Sequence, residues 1–557
     1  MPPAAGGPAQ SLRPLEPSGR NDPGLSASTV EWKNTKTTCP GCSSPGPGIA
    51  DAGPVRLVPG GSGRSPDPSL TASTYAAATR CCWRPMNLQS VAVIGGGLAG
   101  CECALALAAE GIPVTLFEMK PGRFSAAHVS EDLAELVCSN SFRSDAPDAA
   151  VGRLKAEMRA LGSVCMSVAD TVRVPAGKAL AVDRALFSRS VTDLIAAHPL
   201  IRLERREITG LGRPGEPAPE LAPFDAVVVA AGPLASDSLA QSLMELAGNE
   251  HLYFYDAIAP VVDGASINMD VAFWGSRYHP EDDDYLNCPM NREEYEVFYH
   301  ALLEGKRFPA REFEKEAHFE GCMPLETLAE RGFKTLVFGS LKPVGFIDPR
   351  TGVRPYALLQ LRAENANKSM FNLVGCQTKL TYPEQERIFR MVPGLEKAEF
   401  VRLGSMHRNT FVNAPKVLDE NLSLLSAPHI FLCGQIAGVE GYVESAAVGL
   451  WLGKYLAAAA KGGAMPLPPA DTALGALLGH LRTPAKRFQP SNVQFGLMPE
   501  LGVRAGKADR KALYVRRAAS SFEGWLAQAG LNSADGEPAA TTSAVQEREK
   551  TPMEGCQ

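Results

Sequence analysis

Short apolar runs alternate with helix-like stretches along the first regularly patterned part of the chain. Residues 91–94 form a run of four apolar side chains that leads straight into a turn rich in glycine. The stretch 100–110 is rich in Ala and Leu and predicts a helix that ends at Gly111, because glycine commonly follows the last turn of a helix. A second apolar run, 113–117, predicts another strand. This order of elements predicts a parallel βαβ unit.

Two later apolar runs predict further strands of the same sheet. Residues 224–232 contain a run of valines and end in a small-residue turn, which is typical of a parallel strand buried on both faces. Residues 429–435 predict another buried strand that enters a glycine turn, and 438–456 continues as a helix of small residues. The region between them is richer in aromatic and charged residues, which indicates an inserted domain.

The turn after the first run has glycines at positions with a physical meaning. Gly95 allows the tight turn, Gly97 lets a pyrophosphate approach the backbone, and Gly100 lets the helix pack closely on the strand. The N-terminus of the helix offers free N–H groups to phosphates. Glu118 ends the second strand, where it can accept hydrogen bonds from a ribose. The predicted dinucleotide-binding residues of this unit are Gly95, Gly96, Gly97, Leu98, Ala99, Gly100 and Glu118.

The later glycine turn, with Gly434 and Gln435, resembles the segment that completes many FAD sites, and we predict that both residues contact the same cofactor. A second glycine pattern at 210–215 runs into Pro-rich sequence and predicts a loop. The predicted fold class is α/β: a split, Rossmann-like FAD-binding domain of the glutathione-reductase type with an inserted α/β domain.

Composition sets the expected domain boundaries. The N-terminal residues are dense in Pro, Gly, Ser and Ala, which predicts disorder, and Met86 directly before the first strand is the expected start of the working protein. The predicted organisation is a disordered extension (1–85), the first part of the FAD-binding domain (86–232), an insertion (233–392), the second part (393–474), a helical tail (475–530) and a disordered tail (531–557).

Bulk properties exclude several classes of protein. A net charge of -6 does not predict DNA binding, so any RNA contact must come from a local patch. No apolar stretch has the length of a membrane span, and the N-terminal residues lack an apolar core segment, so we expect no secretory signal. The 13 scattered cysteines favour reduced thiols in a cytoplasmic protein. Cys39 and Cys42 lack a second pair of ligands, so we predict no metal site.

The helical tail carries an excess of positive charge. Between Arg482 and Arg517, the sequence contains nine Lys or Arg residues but only two acids, Glu500 and Asp509. This excess is either a solvated helix face or a stripe that binds phosphates.

The segment 135–143, Glu-Leu-Val-Cys-Ser-Asn-Ser-Phe-Arg, resembles the folate- and FAD-dependent tRNA (uracil-5-)-methyltransferase family. Five further segments fit the same family, in the same order along the chain, and the likeness runs from about 86 to about 529. These segments are 181–184, 285–290, 319–324, 406–410 and 439–445. The resemblance implies transfer of a one-carbon unit from methylenetetrahydrofolate to C5 of uridine 54 in the tRNA T-loop. It also implies that reduced FAD supplies the electrons and that NAD(P)H reduces the flavin. Because the sequence has a single credible dinucleotide fingerprint, we expect NAD(P)H to bind transiently, without a Rossmann domain of its own.

Two cysteines in these segments match the chemistry that the resemblance implies. Uracil C5 is a poor nucleophile until a thiolate adds to C6, and a base must later remove the C5 proton. By resemblance, Cys138 is the expected nucleophile and Cys288 its acid/base partner, although the two roles are exchangeable at this stage. His407 either stacks on the pterin or is a structural histidine. Arg408 and Lys379 are candidates to meet the folate glutamate tail, because an anion attracts a cation.

Three other functions compete with this one. The nearest is a flavoprotein that modifies wobble uridine in the carboxymethylaminomethyl pathway, but that family carries a long C-terminal helical domain for which this chain is too short. The second is a flavoprotein that binds tRNA without methylating it. The third is a simple NAD(P)H-dependent flavin reductase, which needs neither the basic tail nor paired thiols.

Overall fold

The computed structural model describes residues 88–248, 251–277, 282–308, 323–485, 488–503 and 506–531, all within one compact unit that spans Cys81–Gln557. The predictions for the N-terminal extension, including Met86 and the Cys39–Cys42 pair, lie outside the described residues. The prediction for the tail beyond 531 lies outside them as well.

Strands and helices alternate along the described chain. The strands are β1 (Val91–Ile94), β2 (Val114–Phe117), β3 (Ser141–Ser144), β4 (Arg173–Val174), β5 (Ala179–Val182), β6 (Ile201–Glu204), β7 (Gly212–Arg213), β8 (Glu216–Pro217), β9 (Ala226–Val229), β10 (His251–Ala257), β11 (Val261–Asp263), β12 (Phe273–Trp274), β13 (Tyr285–Met290), β14 (Ala357–Ala363), β15 (Met370–Leu373), β16 (Phe400–Arg402), β17 (Met406–Val412), β18 (Ser423–Leu424) and β19 (Ala427–Leu432). The helices are α1 (Leu98–Ala109), α2 (Ala150–Ala160), α3 (Val164–Thr171), α4 (Arg184–Ala197), α5 (Asp237–Ala247), α6 (Arg292–Glu304), α7 (Leu325–Glu330), α8 (Thr335–Phe338), α9 (Tyr382–Phe389), α10 (Ala414–Val417), α11 (Tyr442–Ala460), α12 (Ala473–His480) and α13 (Lys507–Gln528).

The first sheet has the strand order β18-β19-β9-β1-β2-β6. Its pairs are parallel except for β18 with β19. Strand β1 is completely buried because helices cover the sheet, which explains its continuous apolar sequence. Four of these strands, β1, β2, β9 and β19, lie where the apolar runs predicted strands, and the predicted α/β fold class is confirmed.

Helices α1 and α11 pack together on this sheet. A Cβ on Gly449 would lie 2.2 Å from the carbonyl oxygen of Ala99, and one on Gly453 would lie 2.8 Å from the carbonyl oxygen of Cys103. The small residues from which the sequence predicted α11 therefore allow the backbones of the two helices to come close together. This contact holds the middle of α11 against the first turns of α1.

The second sheet has the order β12-β13-β14-β15-β11-β16, and its pairs are antiparallel. A separate hydrophobic core beneath it contains buried residues from Val262 to Ala398. Because β16 also belongs to this sheet, the structural unit reaches past position 392, where the sequence predicted its end. The chain enters and leaves the unit through β10 and β17, which pair as an antiparallel ribbon.

Two predicted elements differ in detail from the structure. The glycine pattern at 210–215, expected as a loop, forms the short hairpin β7–β8, and Gly212 there has φ +92°. The expected helical tail consists of α12 and α13, which are separated by mostly irregular chain. Within the part of the chain that the structure describes, every helix is too short or too polar to cross a membrane.

Candidate functional site

A cleft lies at the carboxyl ends of β1, β2 and β9, where open parallel sheets bind nucleotides. It encloses about 1100 Å³, part of which opens to solvent. The structure brings eight of the predicted cofactor residues together in its wall: Gly95, Gly96, Gly97, Leu98, Ala99, Glu118, Gly434 and Gln435. The ninth, Gly100, lies behind the wall.

The glycines of the first turn have different tasks. Gly95 has φ +107°, and a Cβ there would lie 2.6 Å from the carbonyl oxygen of Ala230. A Cβ on Gly100 would lie 1.9 Å from the carbonyl oxygen of Gly95. No described atom lies within 4 Å of the position that a Cβ on Gly97 would take. Gly95 and Gly100 therefore serve packing, whereas Gly97 leaves room at the mouth of the cleft.

Glu118 stands opposite this turn and is buried. Its carboxylate accepts hydrogen bonds from the backbone N–H groups of Gly96, at 2.8 Å, and Lys120, at 2.9 Å. The first turn of α1 has no side-chain cap, so its N–H groups are available to a phosphate. These features fit a bound dinucleotide, with the pyrophosphate at α1 and a ribose at Glu118.

Further polar groups, which carry no motif in the sequence, also line this cleft. Lys120 is buried and pairs with Glu135 at 3.3 Å. His128 is held by Ser125, with 2.6 Å between the hydroxyl oxygen and Nδ1. Burial lowers the pKa of His128, so a neutral imidazole lines the cleft at neutral pH.

Cys138 lies at the edge of this cleft, beside two of its lining residues, Val137 and Tyr442. Its Sγ is 3.0 Å from the hydroxyl oxygen of Tyr442, and its backbone N–H donates to the same oxygen at 2.8 Å. Of the seven cysteines in the described ranges, six are buried, and Cys138 alone is partly exposed. Among the cysteines in the described ranges, Cys138 is therefore the one whose thiol a substrate can reach.

Two arginines hold the residues that flank this thiol. Arg402 donates to the carbonyl oxygen of Val137 at 2.8 Å. Arg362 donates through Nε to the side-chain oxygen of Asn140 at 2.8 Å. Burial lowers the pKa of both arginines, and the negative charge of Cys138 acts in the opposite direction. The attraction is mutual, so both guanidinium groups favour the thiolate form of Cys138.

A third arginine completes a cationic cluster, which consists of Arg184, Arg362 and Arg402. Arg184 pairs with the buried Glu364 at 2.7 Å. Glu364 acts on all three members, so three guanidinium groups share this carboxylate beside Cys138. Such surroundings suit an anion, either the thiolate itself or a charge that develops on a bound substrate.

The structure does not bring Cys288 into this site. Cys288 lies in β13, fully buried in the second core, and burial raises the pKa of its thiol far above the usual range. It is paired with Leu359 in β14, whereas Arg362 is paired with Tyr285. Because side chains alternate along a strand, Cys288 points to the opposite face of the sheet from Arg362.

The folate candidates lie near the ribbon that joins the two sheets. Lys379 is buried and follows Thr378, which hydrogen-bonds Glu326. For His407 and Arg408, the structure describes the backbone of β17, where they pair with Asp256 and Tyr255. The side chain of Gln385 joins Leu380 to Gly404, so the segment after Lys379 adjoins the start of β17.

The comparisons with known proteins decide the family. Residues 90–464 match the family described as glucose inhibited division protein A. A protein of Oleidesulfovibrio alaskensis named methylenetetrahydrofolate--tRNA-(uracil-5-)-methyltransferase TrmFO is 65% identical over 440 residues, which cover 79% of this chain and 98% of that protein. This chain belongs to the TrmFO family. A Geobacter sulfurreducens TrmFO is 55% identical over 440 residues, or 79% of this chain and 99% of the relative.

A solved structure supports the fold independently of the TrmFO sequences. Aquifex aeolicus GidA, in its form II crystal, aligns with a TM-score of 0.56 and 16% identity, covering 79% of this chain and 74% of its own. At that identity the likeness concerns the fold alone. The identities of 55–65% to proteins named TrmFO do not favour the wobble-uridine alternative.

Several residues of the site could not be recognised from their sequence neighbourhood. Tyr442 follows Cys138 by 304 positions, and Arg402 follows Val137 by 265. Tyr442 and Arg184 do lie in family-like segments, which was the available signal. Arg362 and Arg402 lie in ordinary-looking strands, and only the fold brings them to the thiol.

Proposed function

We propose that this protein methylates C5 of the T-loop uridine of tRNA, with methylenetetrahydrofolate as the carbon donor, bound FAD as the redox cofactor and NAD(P)H as the reductant. The observation that carries the proposal is the position of Cys138, a partly exposed thiol at the edge of the dinucleotide cleft of a TrmFO-family chain.

The cleft residues support binding roles for the pyrophosphate and for one ribose of the cofactor. The N–H groups at the start of α1 receive the pyrophosphate, Gly97 leaves the space that it needs, and Glu118 accepts from a ribose. Gly434 and Gln435 form the wall near the start of α11. When bound there, FAD supplies the electrons that reduce the transferred carbon to a methyl group.

The thiol activates the uracil. The Cys138 thiolate adds to C6, the electron pair of the C5–C6 bond moves to the carbonyl oxygen, and the enolate that forms makes C5 nucleophilic. The cationic cluster of Arg184, Arg362 and Arg402 stabilises the thiolate before the attack and the developing oxyanion after it. C5 then attacks the methylene carbon of methylenetetrahydrofolate, and one of the two bonds from that carbon to folate nitrogen breaks. Removal of the C5 proton expels the thiolate and restores the double bond. Replacement of the remaining carbon–nitrogen bond by a carbon–hydrogen bond, with the two electrons that reduced FAD would supply, completes the methyl group and releases tetrahydrofolate.

We still propose Cys288 as the acid/base partner, and this role requires its buried thiol to become exposed. Its thiol is fully buried here, on the opposite sheet face from Arg362. It can exchange a proton with the uracil only if binding of the RNA opens the second core. We further propose that Lys379 and Arg408 meet the folate glutamate tail and that His407 contacts the pterin.

The position of the modified nucleoside tests the proposal against the wobble-uridine alternative. Unmodified tRNA is incubated with the protein, NADPH and methylenetetrahydrofolate, and fragments of the T-arm and the anticodon arm are analysed by mass. We expect a gain of one methyl group in the T-arm fragment. A change in the anticodon fragment favours the alternative, and an unchanged tRNA that binds tightly favours a non-catalytic tRNA-binding protein.

A further inference from the structure

The hydroxyl of Tyr442 has a hydrogen-bond arrangement that fixes the direction of its proton. Its oxygen accepts from the backbone N–H of Cys138 at 2.8 Å and from that of Ser139 at 3.4 Å. Two N–H groups therefore occupy the lone pairs of the phenol oxygen. The remaining direction, toward the Cys138 Sγ at 3.0 Å, is left for the phenol proton.

The rest of the surroundings keeps Tyr442 in this position. It is the first residue of α11, after Gly441, and its ring packs edge-on against Phe142 at 6.1 Å. Burial raises the pKa of Tyr442 well above its usual range, so the phenol keeps its proton at neutral pH. On the other side of the helix start, Glu444 pairs with Arg143 rather than with the phenol.

We propose that Tyr442 is a positioning residue that donates a hydrogen bond to the Cys138 thiolate, so that it sets both the orientation and the ionisation of that thiol. The described charged groups around Cys138 on the other packed elements include Arg184 on α4, Arg362 on β14, Arg402 on β16 and their counterion Glu364. They favour the thiolate by charge, whereas Tyr442 does so by a directed hydrogen bond. The importance of this for catalysis rests on the proposed function, but the hydrogen bond itself does not.

The test is the pH dependence of Cys138 alkylation in the FAD-bound protein. Iodoacetamide reacts with thiolates, and the tryptic peptide 124–143 contains Cys138 as its sole cysteine, so mass spectrometry reads this site separately from the others. Tyr442→Phe removes one oxygen and keeps the ring. We expect the midpoint of alkylation to rise by about one to two pH units, because the thiolate loses a donor to a charged acceptor.

Two controls separate this effect from a general loss of structure. Tyr455→Phe removes a hydroxyl from the same helix, about 20 Å further along its axis, and should leave the midpoint unchanged. Replacing Tyr442 with 3-fluorotyrosine makes the phenol a stronger donor and should lower the midpoint, even where Tyr442→Phe folds poorly. An unchanged midpoint in both Tyr442 variants, or a lower one in Tyr442→Phe, overturns the proposal.

Kinetics connect the hydrogen bond to the reaction. In Tyr442→Phe we expect the acid limb of the kcat profile to move to higher pH by the same amount, with KM for tRNA unchanged. If the protein transfers no methyl group to tRNA but the alkylation midpoint still shifts, the proposed function fails while the role of Tyr442 stands.

Discussion

Cys138 and Cys288 occupy similar family-like segments of the sequence but opposite environments in the structure. The sequence identified both thiols because the chemistry requires a nucleophile and a proton carrier. It could not show that Cys138 is partly exposed among cationic groups while Cys288 faces the second core. The surroundings of Cys138 include Tyr442 and Arg402, which lie 304 and 265 positions away from the residues that they contact.

The burial of Cys288 leads to a prediction about its accessibility. If Cys288 is the acid/base partner, tRNA must expose it, and we expect tRNA to increase alkylation of the tryptic peptide 278–292. The matched control is Cys376 in peptide 369–379, which is buried in the same core and should stay protected. Equal protection of both peptides with bound tRNA, together with an active Cys288→Ser, would assign the proton transfer to another group.

Among the secondary structure elements, the glycine turn and α1 were predicted best, because each glycine answers a local steric demand. Helix α1 begins at Leu98, two positions before the predicted start at Gly100, and ends one residue before the predicted end. Elements defined by distant partners were less accessible to sequence reasoning. The strand β16 has three residues, too few for a periodic pattern, and it joins the second sheet only by pairing with β11.

Substitutions can separate the two functions of the turn glycines, which are space for the cofactor at Gly97 and close packing at Gly100. We expect Gly97→Glu to fold normally and to purify without flavin absorbance, because its side chain enters open space in the cleft and opposes the pyrophosphate charge. Gly100→Ala should instead lower the free energy of unfolding by about 3 kcal/mol, because its Cβ clashes with backbone. A yellow Gly97→Glu protein places the FAD elsewhere.

Helix α12 begins on a buried carboxylate, which gives the fold a pH dependence. Glu157 accepts from the N–H groups of Ala473, at 3.0 Å, and Leu474, at 2.8 Å, and burial raises its pKa to about 7 from 4.5. The folded protein thus holds this proton more tightly than the unfolded chain does. This proton therefore stabilises the folded protein fully below pH 4.5. The free energy of unfolding then falls by about 3 kcal/mol as the pH rises from 4.5 through about 7.

Denaturant unfolding at several pH values checks this contribution. Glu157→Gln should unfold more easily overall but should lack the fall in free energy of unfolding between pH 4.5 and 7. Glu523→Gln, an exposed change on α13, should keep the wild-type slope. The assignment is wrong if the slope of Glu157→Gln equals that of the wild type.

Across the whole molecule, the family resemblance predicted the class of partner, whereas the surface that binds it could not be predicted from composition or net charge. The basic tail contains residues with different tasks. Arg517 donates to the backbone oxygens of Pro499 and Glu500 and therefore ties α13 to the chain before it. Arg510, Lys511 and Arg516 are exposed on α13, which is what a phosphate-binding surface requires.

We therefore expect the triple change Arg510→Ala, Lys511→Ala and Arg516→Ala to weaken tRNA binding. It should also reduce the salt slope of the association constant by about one for each phosphate that the variant no longer neutralises. Arg202→Ala, at an exposed position on the edge strand β6, is the control for charge alone. An unchanged slope in the triple variant means that the tail is only a solvated face.

Folate-dependent methylation is the central claim, and transfer of the one-carbon unit tests it most directly. The protein is incubated with unmodified tRNA, NADPH and methylenetetrahydrofolate labelled on that carbon, in parallel with Cys138→Ser, and the digested RNA is searched for labelled 5-methyluridine. We predict label in the T-loop with the wild-type protein and none with Cys138→Ser. Unlabelled RNA from a wild-type protein that holds FAD and binds tRNA would contradict the account.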